Sequence, residues 1–150
     1  MSDKRVKSDK IRLRYINRFI IGKAILDVGA SEGELHNLLK EKNKDKQFEI
    51  MDQSNNANYK MNLDRPKKIG KKFDTVIVGE IIEHLESPIQ FIRYCKNLLK
   101  KNGRLILTTP NAAGLQYIIN PAWCVNYLDY RGHSQAFTLD MLKRILNEEG

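Results

Sequence analysis

Long apolar runs, cysteine pairs and linkers are all scarce in this 150-residue sequence. No apolar run approaches the roughly 20 residues that a membrane-spanning helix needs, and the N-terminal segment MSDKRVKSDK is charged where a signal peptide would be apolar. We therefore expect a soluble, cytoplasmic protein. The two cysteines, Cys95 and Cys124, have no metal-binding spacing and form no disulfide framework. With no repeat and no proline-rich linker, the chain is predicted to form a single domain over residues 1–150.

Two nucleotide-binding fingerprints are missing from the loop within ILDVGASEGELH, residues 25–36. A dinucleotide site needs GxGxxG, but reading from Gly29 the second and third glycine positions are Ser31 and Glu34. The phosphate loop GxxxxGK[ST] is also absent. Glu32 and Glu34 lie in the predicted first helical turn, where they would repel a pyrophosphate bound to the same amides. The loop therefore disfavours NAD, FAD, ATP and GTP, and it favours an adenosine compound that carries no phosphate.

Positive charge is concentrated in two parts of the chain, which has a net charge of +8. Residues 1–18 contain seven basic and two acidic side chains, and they contribute +5 of that total. A second cluster precedes a predicted strand and consists of Lys67, Lys68, Lys71 and Lys72. Such clusters can contact phosphates or an anionic membrane surface, or they can form a solvated, lysine-rich surface.

Helical and strand patterns alternate along the chain. Apolar residues recur at helical spacing in four segments and form short β-branched runs in five others. The run FDTVIVG is continuously apolar apart from one aspartate, as in a parallel strand covered on both faces. This order predicts a three-layer α/β fold with a mainly parallel sheet and ligands at the carboxyl ends of its strands. The predicted helices cover 9–20, 33–42, a segment starting after Ser87 and one starting after Thr138, and the predicted strands cover 23–28, 47–52, 58–62, 73–79 and 104–109.

Four motifs occur in a fixed order: LDVGASEG, IMDQS, FDTVIVGEIIEHLESP and NGRLILTTPN. With these motifs the chain, over about residues 22–150, resembles the Rossmann-like (class I) S-adenosylmethionine-dependent methyltransferases, in particular the group of ubiquinone biosynthesis and of sugar and lipid tailoring. The resemblance implies a doubly wound sheet with helices on both faces and an enzyme that uses S-adenosyl-L-methionine. It divides the chain into a basic N-terminal helix (1–20), a cofactor-binding core (22–109), a substrate-covering segment (110–137) and a last helix (138–150).

The sheet of such methyltransferases usually ends with two further strands, which this sequence lacks. The chain is therefore interpreted as a fragment or as a naturally short protein. In either case the strand 104–109 is expected to form an uncovered sheet edge, through which the protein could self-associate.

The resemblance also implies a set of cofactor contacts. A loop would surround the methionine part of the cofactor, and Asp52 would accept hydrogen bonds from the ribose hydroxyls. Next to the adenine the family normally has an aspartate, whereas this chain has Asn62 followed by Leu63. Gly79 and Glu80 would pass close to the sulfonium. The implied cofactor-binding residues are Asp27, Gly29, Ala30, Ser31, Gly33, Asp52, Gln53, Asn62, Leu63, Gly79 and Glu80.

Methyl transfer to an alcohol requires the hydroxyl to lose a proton, so a base or a metal ion should lie nearby. The resemblance implies that His84, His133 and Glu83 act as base or orienting groups. His36, in the first crossover helix, is interpreted as a surface residue. In methyltransferases that modify small-RNA 3′ ends, a similar Glu-Glu-His turn with a later histidine binds a divalent metal. The corresponding residues here would be Glu80, Glu83, His84 and His133.

The spacing around His133 argues against that metal site. In the RNA enzymes the histidine lies two residues before a phenylalanine, whereas His133 precedes Phe137 by four. The favoured function is therefore metal-free O-methylation of a small metabolite, sugar or lipid precursor, with that molecule as the partner. Two alternatives stay open. One is a metal-assisted RNA 2′-O-methyltransferase that binds RNA through the basic N-terminal helix, and the other is a non-catalytic cofactor-binding or interaction module.

Overall fold

The computed structural model describes residues 3–30, 33–114 and 132–149. Within these ranges, no helix is both long and apolar enough to cross a membrane. In chain order the elements are α1 (Asp3–Phe19), β1 (Ala24–Val28), α2 (Glu34–Lys42), β2 (Gln47–Asp52), β3 (Tyr59–Lys60), β4 (Phe73–Gly79), a 3₁₀ helix (Ile82–His84), α3 (Pro88–Asn97), β5 (Leu99–Thr108) and α4 (Leu139–Glu149).

The five strands form one parallel sheet in the order β3-β2-β1-β4-β5, which confirms the predicted Rossmann-like α/β fold. β1 lies at the centre, where Asp27 is in register with Ile50 of β2 and Ile77 of β4. The strand order reverses at β1, because β2 and β3 lie on one side of it and β4 and β5 on the other. In doubly wound sheets the crevice beyond this reversal is the usual ligand site.

Two apolar cores cover the two faces of the sheet, since successive residues of a strand point to opposite faces. In β4, Val76 and Val78 belong to the core that contains residues of α3, and α4 packs on the same core. Ile77 belongs to the core that includes α1 and α2. Burial on both faces explains why the sequence of β4 is almost continuously apolar.

The chain that enters β1 is anchored to β4 by polar contacts. The carboxylate of Asp74 accepts hydrogen bonds from the amides of Lys23 (3.0 Å) and Ala24 (2.9 Å), and it forms an ion pair with Lys100 at 3.0 Å. The hydroxyl of Thr75 donates to the carbonyl oxygen of Ile21 at 2.8 Å. These contacts hold the start of β1, and they help to set where its carboxyl end delivers the loop that follows.

Two elements begin several residues earlier than predicted. α1 begins at Asp3 and not at residue 9. β5 begins at Leu99, five residues before the predicted strand, because Leu99 already pairs with Phe73 before an irregularity in the register. The expected glycine turn thus lies inside an irregular strand, where Asn102 has a φ of +61°. As predicted, Thr138 caps α4, since its hydroxyl accepts a hydrogen bond from the amide of Met141 at 3.3 Å.

The predicted edge of the sheet has the expected position. Among the described strands, β5 pairs with β4 alone and so lies at one end of the strand order. After β5, Asn111 and Phe137 form an isolated parallel bridge that lies outside the five strands. Most of the segment 110–137, including Trp123 and Cys124, lies outside the described residues.

Candidate functional site

The loop after β1 needs a glycine at position 29 for two reasons. Gly29 has a φ of +68°, and a Cβ at this position would lie 2.0 Å from Cδ1 of Ile81. Its amide donates a hydrogen bond to the carbonyl oxygen of Met51 at 2.8 Å, which ties the loop to β2. The backbone of Gly29 is therefore held closely between the ends of two strands.

The rest of the loop leads directly into α2. Gly33 is the residue before the first helical turn, and its amide donates to the carbonyl oxygen of Ala30 at 3.0 Å. Ser31, which was also predicted to contact a cofactor, lies outside the described residues.

Beneath this loop, Asp27 and His36 form a buried pair. Nδ1 of His36 lies 2.8 Å from Oδ2 of Asp27, and both residues are 6% exposed. Burial raises the pKa of the Asp27 carboxyl, while His36 and the nearby Arg12 lower it by smaller amounts. The interpretation of His36 as a surface residue was wrong, because α2 directs this side chain toward the carboxyl end of β1. The edge of its ring packs against Phe48, with the two ring planes at 89°.

A cavity of about 290 Å³ opens beside the carboxyl end of β2. Asp52, the last residue of β2, lines it and accepts a hydrogen bond from the amide of Ser54 at 2.8 Å. The predicted contacts Asp52, Gln53, Asn62 and Leu63 all line this cavity, together with Asp64, Ile81, His84 and Leu85. Residues predicted from three separate segments of the sequence thus line one cavity.

The segment Asn62-Leu63-Asp64 forms one wall of this cavity. Leu63 is buried in the apolar core, whereas the side chain of Asn62 is turned back on its own segment. Oδ1 of Asn62 accepts a hydrogen bond from the amide of Asp64 at 2.9 Å. Asp64, which the sequence analysis did not select, accepts a hydrogen bond from the amide of Glu86 at 2.7 Å.

The carboxyl end of β4 combines an unusual backbone with an ion pair. Glu80 has a φ of +56°, which is uncommon for a residue with a side chain. Its carboxylate lies 3.4 Å from a guanidinium nitrogen of Arg12 in α1. Burial raises the pKa of Glu80, and the charge of Glu83 adds to this effect, while Arg12 opposes it. At the neighbouring Gly79 a Cβ would be 3.6 Å from Oγ1 of Thr108, an ordinary contact.

Glu83 is a fully buried acid next to two imidazoles. It is 0% exposed, and its Oε2 accepts a hydrogen bond from the hydroxyl of Thr109 at 2.9 Å. Within the described part of the chain, its Oε1 has no hydrogen-bond partner. The rings of His84 and His133 are 4.6 Å apart, and one potential ligand atom from each of Glu83, His84 and His133 lies within 4.8 Å of the others.

Backbone contacts bring His133 to this place. The amides of Ser134 and Gln135 donate to the carbonyl oxygen of Glu83 at 2.9 and 3.2 Å, so the segment before α4 lies against the 3₁₀ helix. Glu80, the fourth residue of the alternative metal set, does not join the other three within the described residues and instead pairs with Arg12.

Sequence reasoning missed Arg12 as a residue of the site. Its position in a basic helix suggested a solvated or phosphate-binding role, but its guanidinium also affects the pKa of Asp27 and Glu80. The available signal was its position in the helix, beside the apolar face that includes Leu13 and Ile16.

A family model described as a methyltransferase domain matches residues 4–150 of the chain. Among curated proteins, the ubiquinone biosynthesis O-methyltransferase of Coxiella burnetii (strain Dugway 5J108-111) is 29% identical over 145 residues, which covers 84% of this chain and 62% of the relative. The enzyme of the same name from Cereibacter sphaeroides (strain ATCC 17029 / ATH 2.4.9) is 29% identical over 86 residues, or 54% of this chain and 35% of the relative. The chain thus spans less than two thirds of each relative's length.

Solved structures show the same fold. The plantazolicin methyltransferase BpumL, in complex with a monoazolic desmethylPZN analog and SAH, superposes with a TM-score of 0.67 at 15% identity, over 95% of this chain and 61% of that one. An O-methyltransferase family protein from Burkholderia thailandensis gives a TM-score of 0.74 at 12% identity, over 97% of this chain and 51% of that one.

Proposed function

The chain belongs to the methyltransferase domain family, and from this we propose that it transfers the methyl group of S-adenosylmethionine to an oxygen of a small metabolite, sugar or lipid precursor. The name of its relatives, ubiquinone biosynthesis O-methyltransferase, supports an oxygen acceptor. The observation that carries the proposal is the meeting of Asp52, Leu63 and His84 around one cavity at the carboxyl edge of the sheet.

The charges around the crevice suit the proposed cofactor. Asp27, Glu80 and Glu83 lie at or near the carboxyl ends of the neighbouring strands β1 and β4. Such carboxylates attract a sulfonium and an ammonium group and repel a phosphate. Asp52 would hold the ribose hydroxyls from the cavity, and the loop at Gly29 would pass along the methionine part. Arg12, which lies 3.4 Å from the carboxylate of Glu80, is a cation at this edge, and we assign it to the cofactor's carboxylate end.

The bound cofactor supplies an electrophilic methyl group, so the chain's own task is to position the acceptor and take up its proton. The methyl group would pass from the cofactor's sulfur to the acceptor oxygen, and the electron pair of the carbon–sulfur bond would stay on sulfur. The hydroxyl proton goes to the group formed by Glu83, His84 and His133. The Oε1 of Glu83, which has no hydrogen-bond partner among the residues that the structure describes, and the exposed ring of His84 support this assignment.

A second candidate function follows from the same three residues. Two imidazoles and a carboxylate with atoms within 4.8 Å of one another form a donor set that suits a divalent transition metal. In that case the metal would lower the pKa of the acceptor hydroxyl, and no protein base would be needed. Turnover that is lost with a chelator and restored by Mn²⁺ or Fe²⁺ would favour this candidate over a protein base.

Cofactor binding is tested by calorimetry with S-adenosylhomocysteine. Because Asp52 would accept charge-assisted hydrogen bonds, Asp52→Ala should weaken binding by about 1.5–3 kcal/mol. Asp45→Ala is the matched control, since the Asp45 side chain is 71% exposed and does not line the cavity. An unchanged affinity for Asp52→Ala would remove this residue from the site.

Turnover is tested with labelled S-adenosylmethionine and a panel of hydroxylated metabolites. Glu83→Gln should lose transfer by about 100-fold or more while it keeps its affinity for S-adenosylhomocysteine. Full activity of this variant would contradict the role of Glu83. Cofactor binding without any transfer by the wild type would support a non-catalytic module.

A further inference from the structure

One face of α1 is apolar and exposed to solvent. Leu13 and Ile16 of this helix are buried in the core that also includes α2. In contrast, Ile11, Tyr15 and Phe19 are 53%, 60% and 45% exposed. Because these three residues follow one another at intervals of four in a helix, they share one face. They form an apolar stripe about 12 Å long, which we call the outer stripe of α1.

Positive charge borders the outer stripe. Arg14 and Arg18 are exposed, and each follows a residue of the stripe by three positions, so both lie beside it on the helix surface. The guanidinium of Arg18 lies 5.9 Å from the centre of the Phe19 ring. The whole of α1 contains seven basic and two acidic residues. An exposed apolar stripe bordered by cations is typical of a helix that lies on an anionic lipid surface.

The fold anchors the end of α1 from which this face is presented. A guanidinium nitrogen of Arg104 in β5 donates a hydrogen bond to the carbonyl oxygen of Phe19 at 3.0 Å. Two residues later, the amide of Ile21 donates to the hydroxyl of Thr75 at 2.9 Å. Because the helix is formed and held in place before it meets a partner, docking through it costs little conformational entropy.

The composition of the face favours a lipid bilayer over other partners. A single-stranded nucleic acid would contact the two arginines and stack its bases on the two aromatic rings, but the exposed aliphatic side chain of Ile11 has no role in such a contact. In a bilayer all three apolar side chains would leave water at the boundary between headgroups and acyl chains. The arginines would then attract anionic headgroups. Two copies of this cationic face would repel each other.

We propose that the outer stripe of α1, together with Arg14 and Arg18, is a docking surface for anionic phospholipid membranes. The same helix reaches the crevice, because Arg12 of α1 pairs with Glu80 at 3.4 Å. A docked protein therefore holds its crevice within one helix length of the bilayer, where lipid molecules are concentrated. The inference goes beyond the proposed function and does not depend on methyl transfer.

Vesicle co-sedimentation of the full chain tests this surface. Wild-type protein should bind phosphatidylcholine vesicles that contain about 30% phosphatidylglycerol at least about 10-fold more tightly than pure phosphatidylcholine vesicles. The double variant Arg14→Gln/Arg18→Gln should weaken binding to the anionic vesicles by about 20-fold, because each arginine near such a surface contributes about five-fold. Ile11→Ser/Tyr15→Ser should weaken it by about 10-fold or more, because less apolar surface leaves water.

The matched control removes two positive charges from another exposed part of the chain. Lys67 and Lys68 are both exposed, and Lys67→Gln/Lys68→Gln should weaken binding by less than about three-fold, because charges far from the contact are screened by salt. All three double variants change exposed side chains, so thermal unfolding should stay close to that of the wild type.

Different outcomes contradict different parts of the inference. A wild-type protein that binds neither kind of vesicle, or both equally, would overturn it. A loss in the lysine control equal to that of the arginine variant would show that binding follows net charge and not the face of α1. Full binding by Ile11→Ser/Tyr15→Ser would show that the stripe does not enter the bilayer, and the inference would be wrong.

A filter-binding assay with a single-stranded RNA oligonucleotide separates the two kinds of polyanion. If RNA binds more tightly than the anionic vesicles, and Arg14→Gln/Arg18→Gln loses that binding, the face is a nucleic-acid surface and the inference is overturned. Calorimetry with S-adenosylhomocysteine is independent of all these measurements. A failure of membrane docking is therefore distinguishable from a failure of the proposed function.

Discussion

Replacing His36 by alanine should destabilise the protein strongly. This residue lies outside the four sequence motifs on which the predicted site is based. Nδ1 of His36 is 2.8 Å from the carboxylate of Asp27, and both side chains are buried. The substitution would leave the Asp27 carboxyl in the interior without its closest partner. It would also remove the contact between the imidazole and Phe48.

The size of the loss follows from these two contacts. A hydrogen bond to a charged group contributes about 1.5–3 kcal/mol, and an edge-to-face ring contact contributes about 0.5–1.5 kcal/mol. The expected decrease in the free energy of unfolding is therefore about 2–4 kcal/mol. Arg12 remains near Asp27 and limits the loss, because its charge also favours the ionised carboxyl.

Urea denaturation of the wild type, of His36→Ala and of a control variant measures this loss. Asn37→Ala is the matched control, because Asn37 is the exposed neighbour of His36 on α2 and should change stability by less than about 0.5 kcal/mol. In a double-mutant cycle with Asp27→Asn, the coupling free energy should exceed about 1 kcal/mol. If His36→Ala is as stable as the control, the pair contributes nothing to folding, and the reasoning from burial and distance is refuted.

Three further predictions concern the scaffold. Burial raises the pKa of the Cys95 thiol to about 12, so this thiol should resist alkylation in the native state and react only in denaturant. Rapid native labelling, measured by mass spectrometry of the Cys95 peptide, would contradict its burial. Gly29→Ala should cost about 1–3 kcal/mol of stability, because a φ of +68° strains a residue with a side chain and the new Cβ would also meet Ile81 at 2.0 Å. Gly79→Ala has room, and equal losses of the two variants in thermal unfolding would show that the loop can relax. Hydrogen bonds from the amide of Ala24, from Lys100 and from the amide of Lys23 lower the pKa of Asp74. The ionised Asp74 therefore stabilises the fold at pH values above its ordinary pKa of 3.8. This contribution disappears as the pH falls through the lowered pKa. Urea titrations should therefore show a deficit for Asp74→Asn at neutral pH that shrinks in acid, and a deficit independent of pH would be evidence against the linkage.

Strand positions were the most predictable feature of the chain. β2 and β4 occupy the predicted residues 47–52 and 73–79. β4 was the clearer of the two, because a strand buried on both faces must be apolar at nearly every position. β5 was less predictable. Its first residues, Leu99 to Asn102, are mostly polar and contain a positive φ, and only pairing with Phe73 makes them part of the sheet.

Asp52, Asn62 and His84, which the sequence analysis selected as site residues, line one cavity, since all three follow or end strands of a parallel sheet and so lie at its carboxyl edge. Their roles toward a cofactor stay predictions. Local chemistry identified which residues could bind an adenosine compound. It did not identify which atom of each residue is free to do so.

That second question depends on contacts between residues that are distant in the chain. The pairing of Arg12 with Glu80, of His36 with Asp27 and of Asp64 with the amide of Glu86 involves separations that no periodicity records. Apolar patterning is repeated over many residues, so it survives in the sequence as a readable signal. A single polar contact depends on where two elements meet after packing. The fold class could therefore be derived from the linear order of residues, whereas the polar partners in the crevice were decided by the tertiary structure.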